Sequence, residues 1–259
     1  MNHFPQKKGI PLNKLAVLAF TVLVSLSSIL WYLANGSLNE YLKSQVELQG
    51  QYYTGQKASI EIADFSSSTG IGEFKNVRLL NLADHQAEHV LLIDVALITL
   101  EKQATQHLLT TLKTLTINKL TLNIENLLDS SSNIDQLVKS VSTKLALDYP
   151  ELYPHISAEI YAKNNPELNA EEYAQLNPQA GPIVEHTKVK KKRGKPQAML
   201  NISAIKINTV ELNIINKGIT KNIQLNDVNL STVGGKKGIV SNQLGGEVLL
   251  ALLHLAPQE

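Results

Sequence analysis

One motif in the sequence has residue types and a spacing that could do chemistry, and it lies between His85 and His89. With Glu88 between them, these residues fit the H-x-x-E-H pattern of zinc peptidases, in which two imidazoles bind the metal and the carboxylate activates water. That chemistry requires both imidazoles on one face of a helix. Here the motif follows Asp84 and separates two segments with strand-like patterns. We therefore interpret it as a surface connection, and we expect neither a metal nor a catalytic residue here.

The composition excludes several further classes of site. The chain has 259 residues, 43% of them hydrophobic, and no cysteine, so it can build a core but has no disulfide, thiolate metal ligand or cysteine nucleophile. The formal net charge of +1 is far from that of a dedicated nucleic-acid binder. We expect no cofactor, no nucleic-acid partner and no enzymatic activity.

A concentrated basic run in the second half of the chain leaves two interpretations open. It can be a solvated loop, or it can contact anionic lipid headgroups, since each cation near a membrane surface contributes about 1 kcal/mol. A nucleic-acid tail is disfavoured because no aromatic residues are interleaved with the charges. The residues predicted for headgroup contact are Lys188, Lys190, Lys191, Lys192, Arg193 and Lys195.

The structural elements that would position these candidate residues begin with an uncharged apolar stretch at residues 15–34. At about 1.5 Å per residue a helix of this length crosses the ~30 Å hydrocarbon core, and Trp31 and Tyr32 would reach the headgroup level at its far end. Lysines precede the span without acidic residues, which predicts a cytoplasmic segment 1–14 and an exported remainder. A signal peptide cleaved near Ser25–Ser27 is the alternative, and it exports the same domain.

Apolar spacing changes from helical to strand-like soon after the span. Residues 35–50 carry apolar residues at three- and four-residue spacing, which predicts a helical stalk. From Lys57 the period becomes two, and strands are predicted near Ala58–Ile62, Phe74–Leu82 and His89–Leu100. The third of these is apolar on both faces, which favours a cover on each side of the sheet.

An internal repeat gives the most informative pattern in the exported part. The segment Leu115–Asn126 recurs as Ile205–Asn216, with Ile, Asn, Leu, Asn, Ile and Asn at the same places. In both copies the apolar positions change phase in the middle, and the segment Ile223–Leu230 does the same. Because side chains alternate along a strand, such a change predicts an inserted residue or a change of buried face. We expect long, bent strands that curve the sheet.

Helices are predicted between and after these strands. Ser130–Ser132 can cap a helix that ends near Asp148–Pro150, and residues 166–176 and 247–255 suggest two more, with an exposed loop at 177–197. The predicted fold class is therefore α+β. It comprises an N-terminal transmembrane helix, a curved, mainly antiparallel β-sheet with a few packed helices, and one exported domain over residues 51–259.

The predicted short cytoplasmic start and single span are followed by four strand-like segments, Thr54–Ile62, Gly72–Leu82, Leu91–Leu97 and Leu115–Ile124. In this order of segments the chain resembles the N-terminal region of the bacterial AsmA-like proteins. The resemblance implies a protein of the bacterial inner membrane, anchored by a single pass, with a periplasmic domain related to chorein-type lipid-transfer folds. In such folds a curved sheet shelters acyl chains on its apolar face.

Two functional hypotheses follow, and the sequence leaves both open. The sheet can bind or handle a phospholipid in envelope maintenance, or the domain can be a non-catalytic scaffold that binds an envelope protein partner and fills its apolar surface with its own helices. The residues predicted to face a lipid are Ile93, Val95, Leu97, Leu120, Leu122, Ile124, Val210, Leu212 and Ile214.

Overall fold

A computed structural model describes residues 38–101, 109–126, 131–164 and 199–257. The chain is an α+β protein with four helices and a large mixed, mostly antiparallel sheet in this described part. No helix among the described residues combines the length and the apolar character needed to cross a membrane. The predicted span at 15–34 and the cytoplasmic segment before it lie outside these residues.

The first helix, α1, covers residues 38–54 and ends before Gly55, whose backbone is left-handed with a φ of 73°. Glycine adopts that conformation without a steric penalty, which explains the helix end at this position rather than at the predicted Gly50. Gly50 instead faces the sheet, since a Cβ there would lie 2.5 Å from the Cβ of Ala58. The glycine thus allows α1 to pack closely against the first strand.

Nine strands form the sheet in the described part of the chain. They are β1 (Ala58–Ser59), β2 (Ile62–Ser66), β3 (Ile71–Leu80), β4 (His89–Leu100), β5 (Leu109–Glu125), β6 (Met199–Ile202), β7 (Ile205–Asn216), β8 (Ile219–Leu230) and β9 (Ile239–Val240). Strands β1 and β2 both pair with β3, which is followed in the sheet by β4 and β5. Strand β6 pairs with the first part of β5, and β7 pairs with the rest of it. On their outer sides, β6 pairs with β9 and β7 pairs with β8.

The two copies of the internal repeat lie next to each other in register. Strands β5 and β7 are parallel, and Leu115 pairs with Ile205 just as Ile124 pairs with Ile214, so each residue neighbours its equivalent. Asn213 Nδ2 donates a hydrogen bond of 2.8 Å to Asn123 Oδ1. The repeat was expected within a mainly antiparallel sheet, and its parallel pairing makes the sheet mixed.

The alternation of core-facing and outward-facing side chains changes phase at matching positions in neighbouring strands. We call this line of positions the crease and define it by Asn76, Asp94, Asn118, Asn208 and Asp227. These residues interrupt the paired rows of neighbouring strands at matching positions. Asp94 holds the crease together, because its carboxylate accepts bonds from the side chain of Asn118 at 2.9 Å and from the backbone N–H of Lys119 at 2.8 Å. At Asn76 and Asp227 the backbone is left-handed, with φ of 53°. The predicted change of phase in three strands is confirmed.

One face of the sheet, the core face, packs against the protein's own helices. Strand residues on either side of the crease, such as Ile93 and Ala96 in β4, keep to this face and belong to one hydrophobic core with the helical residues Tyr53, Leu137 and Leu253. The opposite face, the open face, carries polar residues including the 3.0 Å ion pair of Lys75 with Glu73. The cover expected on both faces of β4 is absent over Leu97 in the described part, since the crease places this residue on the open face, where it is 40% exposed.

The remaining helices are α2 (Asn133–Asp148), α3 (Pro154–Asn164) and α4 (Ser241–Leu253). Helix α2 begins at the predicted N-cap, where Ser132 and Asp135 form a capping box. Helix α4 begins six residues before the predicted position 247 and includes Gly246. A Cβ at Gly246 would lie 2.8 Å from both Leu145 and Tyr53, so the glycine serves close helix packing rather than a turn. Helix α3 was not predicted, and the predicted helix 166–176 and loop 177–197 lie outside the described residues.

Candidate functional site

The H-x-x-E-H motif does not lie on a helix. Residues 81–88 connect β3 to β4, and His89 is the first residue of β4. The Nδ1 atom of His85 is 3.0 Å from the carbonyl oxygen of Ala83, and the Nε2 atom of His89 is 3.8 Å from Glu88 Oε1. No group of three His, Cys, Asp or Glu residues that could hold a metal occurs in the part of the chain that the structure describes.

The same connection instead wraps around a buried carboxylate from β5. Glu125 is 5% exposed, and it accepts 2.7 Å hydrogen bonds from the backbone N–H groups of Gln86 and Ala87. The Asn81 side chain donates to the same carboxylate at 3.0 Å and accepts from Asn133 Nδ2 at 2.8 Å. This buried polar network joins the β3–β4 connection, the end of β5 and the start of α2. Its hydrogen bonds are internal, so its role is to fix the fold.

The residues predicted to face a lipid are divided between the two faces of the sheet. Six lie on the core face with at most 7% exposure, packed with the helices, and they are Ile93, Leu120, Leu122, Ile124, Val210 and Leu212. Ile214 is half-buried at the margin of the same face. Val95 and Leu97 lie on the open face. In this arrangement the six buried residues contact other parts of the protein, and lipid contact stays a prediction. The basic residues between Lys188 and Lys195 lie outside the described residues.

Helix α1 covers one edge of the sheet with polar side chains spaced four residues apart. The Asn39 side chain accepts a 2.9 Å bond from the backbone N–H of Phe65 and donates at 3.1 Å to Asp64. One turn further on, Lys43 donates to the carbonyl oxygen of Glu61 at 3.4 Å. Glu47 then accepts from the backbone N–H of Ile60 at 3.3 Å. These side chains bind backbone groups that an adjoining strand would otherwise pair.

Strand β8 forms a bare edge on the other side of the sheet. It pairs only with β7 among the described residues, and nine of its twelve residues are exposed. The turn before it, Lys217-Gly218, has positive φ at both residues, as a two-residue hairpin requires. The core face is less well covered here, since Leu225 is 38% and Ile219 is 74% exposed. Beside the turn is a hollow of about 420 Å³ lined by Ile214 and Ile219 together with Lys217 and Lys221.

A second hollow, of about 500 Å³, lies where α1, the end of α2 and the start of α4 meet. The Tyr52 hydroxyl contacts both carboxylate oxygens of Asp148, at 2.9 and 3.0 Å. The Tyr53 hydroxyl donates to the carbonyl oxygen of Asn242 at 3.0 Å, and the two tyrosine rings meet edge to face with centres 5.2 Å apart. We call this the tyrosine hollow.

Burial, and then the neighbouring Asp148, raise the pKa of Tyr52 to about 12. Burial is also the main cause of the raised pKa values of Tyr53, Tyr149 and Tyr153. Near Tyr153 the carboxylate of Glu247, which accepts its hydroxyl hydrogen bond, acts in the same direction. The phenols therefore stay protonated at neutral pH, as donors with neutral rings.

Sequence reasoning missed both the bare edge and the tyrosine hollow. A local signal existed for the hollow, because Tyr52-Tyr53 and Asp148-Tyr149 are adjacent pairs at the ends of two helical patterns. Nothing in the sequence, however, brings these two pairs together.

Comparisons with known proteins add no assignment. No family model matches this chain, and a search of curated proteins gives no match.

Proposed function

We propose that this chain is a non-catalytic partner-binding module of the bacterial envelope, tethered to the inner membrane by residues 15–34. The resemblance to AsmA-like proteins and the lysines before the predicted span support this address. A C-terminal alkaline phosphatase fusion tests it, since the enzyme becomes active only outside the cytoplasm. A well-expressed but inactive fusion would contradict the proposed orientation.

The observation that carries the proposal is the unequal treatment of the two sheet edges. At the β1–β2 edge, Asn39 and Glu47 of α1 bind strand N–H groups. At the β8 edge no described element does so over twelve residues. Unpaired edges invite association, and proteins commonly cover or blunt them. A bare edge on the opposite side of the sheet from a covered one supports a role in binding.

The chemistry of β8 defines the kind of partner that fits it. An extended protein segment can add to such an edge through backbone hydrogen bonds, while its side chains meet those of the edge strand. On the core face β8 offers Ile223 and Leu225, and on the open face it offers Asn222 and Gln224. The incoming segment should therefore alternate apolar and polar residues.

Site-specific photo-crosslinking in cells tests this mode of binding. A crosslinker is placed in turn at Thr220, Asn222 and Gln224 of β8, with Glu159 on α3 as the matched exposed control. If the partner adds as a strand, each crosslinker position should react with a different residue of one partner segment. A shift of two residues along β8 should then shift the crosslinked residue by two positions in that segment. If β8 gives no polypeptide crosslink, or gives the same pattern as Glu159, the proposal fails.

Handling of phospholipid is the second candidate, and the hollow at the β7–β8 turn favours it. There, apolar Ile214 and Ile219 lie beside Lys217 and Lys221, a combination that suits an amphiphile with an anionic headgroup. Native mass spectrometry of the detergent-extracted protein tests this role. Bound phospholipid that is lost in Ile219→Asp, with an unchanged circular dichroism spectrum, would support it. A lipid-free wild-type protein would remove it.

A further inference from the structure

The tyrosine hollow combines one carboxylate, that of Asp148, with several phenol rings. Asp148 is exposed at the end of α2, and its observed bonds are to the neutral hydroxyl of Tyr52. Two Lys–Glu ion pairs and one His–Glu contact occur among the described residues, and none of them includes Asp148. Asp148 thus forms no ion pair within the described residues, and Lys144, four residues before it on α2, lies over the Tyr52 ring instead.

The Tyr52 ring already makes the kind of contact that such a cation would make. The ammonium group of Lys144 lies 5.1 Å from the centre of the Tyr52 ring, within the range of a cation–π interaction. Tyr149 adds a second, partly exposed ring to the hollow, whereas Tyr53 is 1% exposed and supports the site from within the core. Aromatic rings arranged around a cavity are a known way of binding alkylated ammonium groups.

The electrostatic environment also points to a cation rather than an anion. Burial is the largest cause of the raised pKa of Tyr52 and Tyr53, and the negative charge of Asp148 raises both further. A field that opposes one negative charge attracts a positive one. Amide side chains from Gln45 and Gln49 and the nearby Asn242 add polar groups at the rim without adding charge.

We propose that the tyrosine hollow binds a small organic ammonium group, held by the carboxylate of Asp148 and by the rings of Tyr52 and Tyr149. Its volume of about 500 Å³ is large enough for a choline or ethanolamine group. Such a group can come from a lipid headgroup or from a free amine. The site is independent of the β8 edge.

Ligand-observed nuclear magnetic resonance on the full-length protein tests the proposal, with choline, ethanolamine and the uncharged choline analogue 3,3-dimethylbutan-1-ol as probes. Choline should bind about tenfold more tightly than the uncharged analogue, because only choline carries the positive charge that Asp148 and the rings attract. This ratio corresponds to a difference of about 1.4 kcal/mol in binding free energy. The variant Asp148→Asn should lose this preference, whereas Glu159→Gln, the same change on an exposed residue of α3, should keep it. Tyr52→Leu should also weaken choline binding, provided its circular dichroism spectrum is unchanged.

Competition identifies the source of the ammonium group. If nanodiscs of phosphatidylethanolamine displace choline and nanodiscs of phosphatidylglycerol do not, the hollow takes a lipid headgroup. If neither displaces choline, it takes a free amine, and the proposed chemistry still holds. Equal binding of choline and its uncharged analogue, no binding of choline at all, or unchanged preference in Asp148→Asn would overturn the proposal.

Discussion

The two edges of this sheet differ in what faces their backbone. Along β1 and β2, helix α1 brings Asn39 and Glu47 to the N–H groups of Phe65 and Ile60. Along β8, no described element takes that place. The helices also bury the core face at the middle of the sheet, where Leu122 is 0% exposed, but leave Leu225 38% exposed on the same face near β8. The comparison separates an end of the sheet that α1 covers from an end that no described element covers.

The largest expected change in the free energy of unfolding comes from a substitution in the buried part of the core face. Leu122→Asp should reduce the free energy of unfolding by more than about 4 kcal/mol, because it places a carboxylate in a packed apolar core. Leu225→Asp, on the same face near the bare edge, should change it by less than about 1 kcal/mol. Urea denaturation measures both. Similar losses for the two variants would show that the β8 end is as well covered as the centre.

The next effect concerns the buried carboxylate that joins the β3–β4 connection to α2. Glu125→Gln should cost about 2–3 kcal/mol, because charged hydrogen bonds to Gln86, Ala87 and Asn81 are weakened together.

The matched control for this variant is Glu211→Gln on the open face. That residue forms a partly exposed ion pair with Lys119 at 2.8 Å. Its loss should cost no more than about 1 kcal/mol. Equal urea midpoints for the two variants would contradict a structural role for the buried network.

A smaller effect should follow from uncovering the closed edge. Asn39→Ala removes the acceptor for the Phe65 N–H and should cost about 1 kcal/mol, and hydrogen exchange at Phe65 should become faster. Asn222→Ala on β8 is the control and should leave stability unchanged, since that residue is exposed. If exchange at Phe65 stays the same, α1 does not protect this edge.

The smallest expected effect on stability at neutral pH comes from Tyr52 in the tyrosine hollow. Its contribution changes only at alkaline pH. The pKa of Tyr52 is raised from 10.0 to about 12, so the folded protein holds this proton more tightly than the unfolded chain does. Stability from this source is present below pH 10 and is lost as pH rises towards 12.

Thermal unfolding across this pH range, with phenolate absorbance recorded in parallel, measures the loss. The variant Tyr52→Phe should show a shallower fall in melting temperature and one fewer late-titrating phenol. A pH profile identical to that of the wild type would show that Tyr52 titrates alike in the folded and unfolded states.

Sequence patterns predicted the strands well where periodicity was strong. The bounds predicted for β4 and for the second copy of the repeat, His89–Leu100 and Ile205–Asn216, agree with the structure. The phase change within the repeat was also predicted, since strict alternation along a strand makes any slip visible. The same slip in β4 was missed, because its residues are apolar on both sides of Asp94 and the phase cannot be read from them.

The helices were harder to predict where glycine or proline interrupted the pattern. Gly245-Gly246 looked like a helix start but lies within α4, where small residues permit contact with Tyr53 and Leu145. Helix α3 begins at Pro154, and its weakly amphipathic sequence gave no clear periodic signal.

The sequence alone determined the alternation of apolar and polar residues, and therefore which segments become strands and which side chains share a face. Only the tertiary structure decided which strands became neighbours, and it placed two repeats, 90 residues apart, side by side in parallel. It also decided that Glu125 would meet the backbone of a distant connection, and that α1 would cover one edge while no described element covers β8. The physical reason is that periodicity is a local property of the chain, whereas pairing and edge cover depend on contacts between segments far apart in sequence.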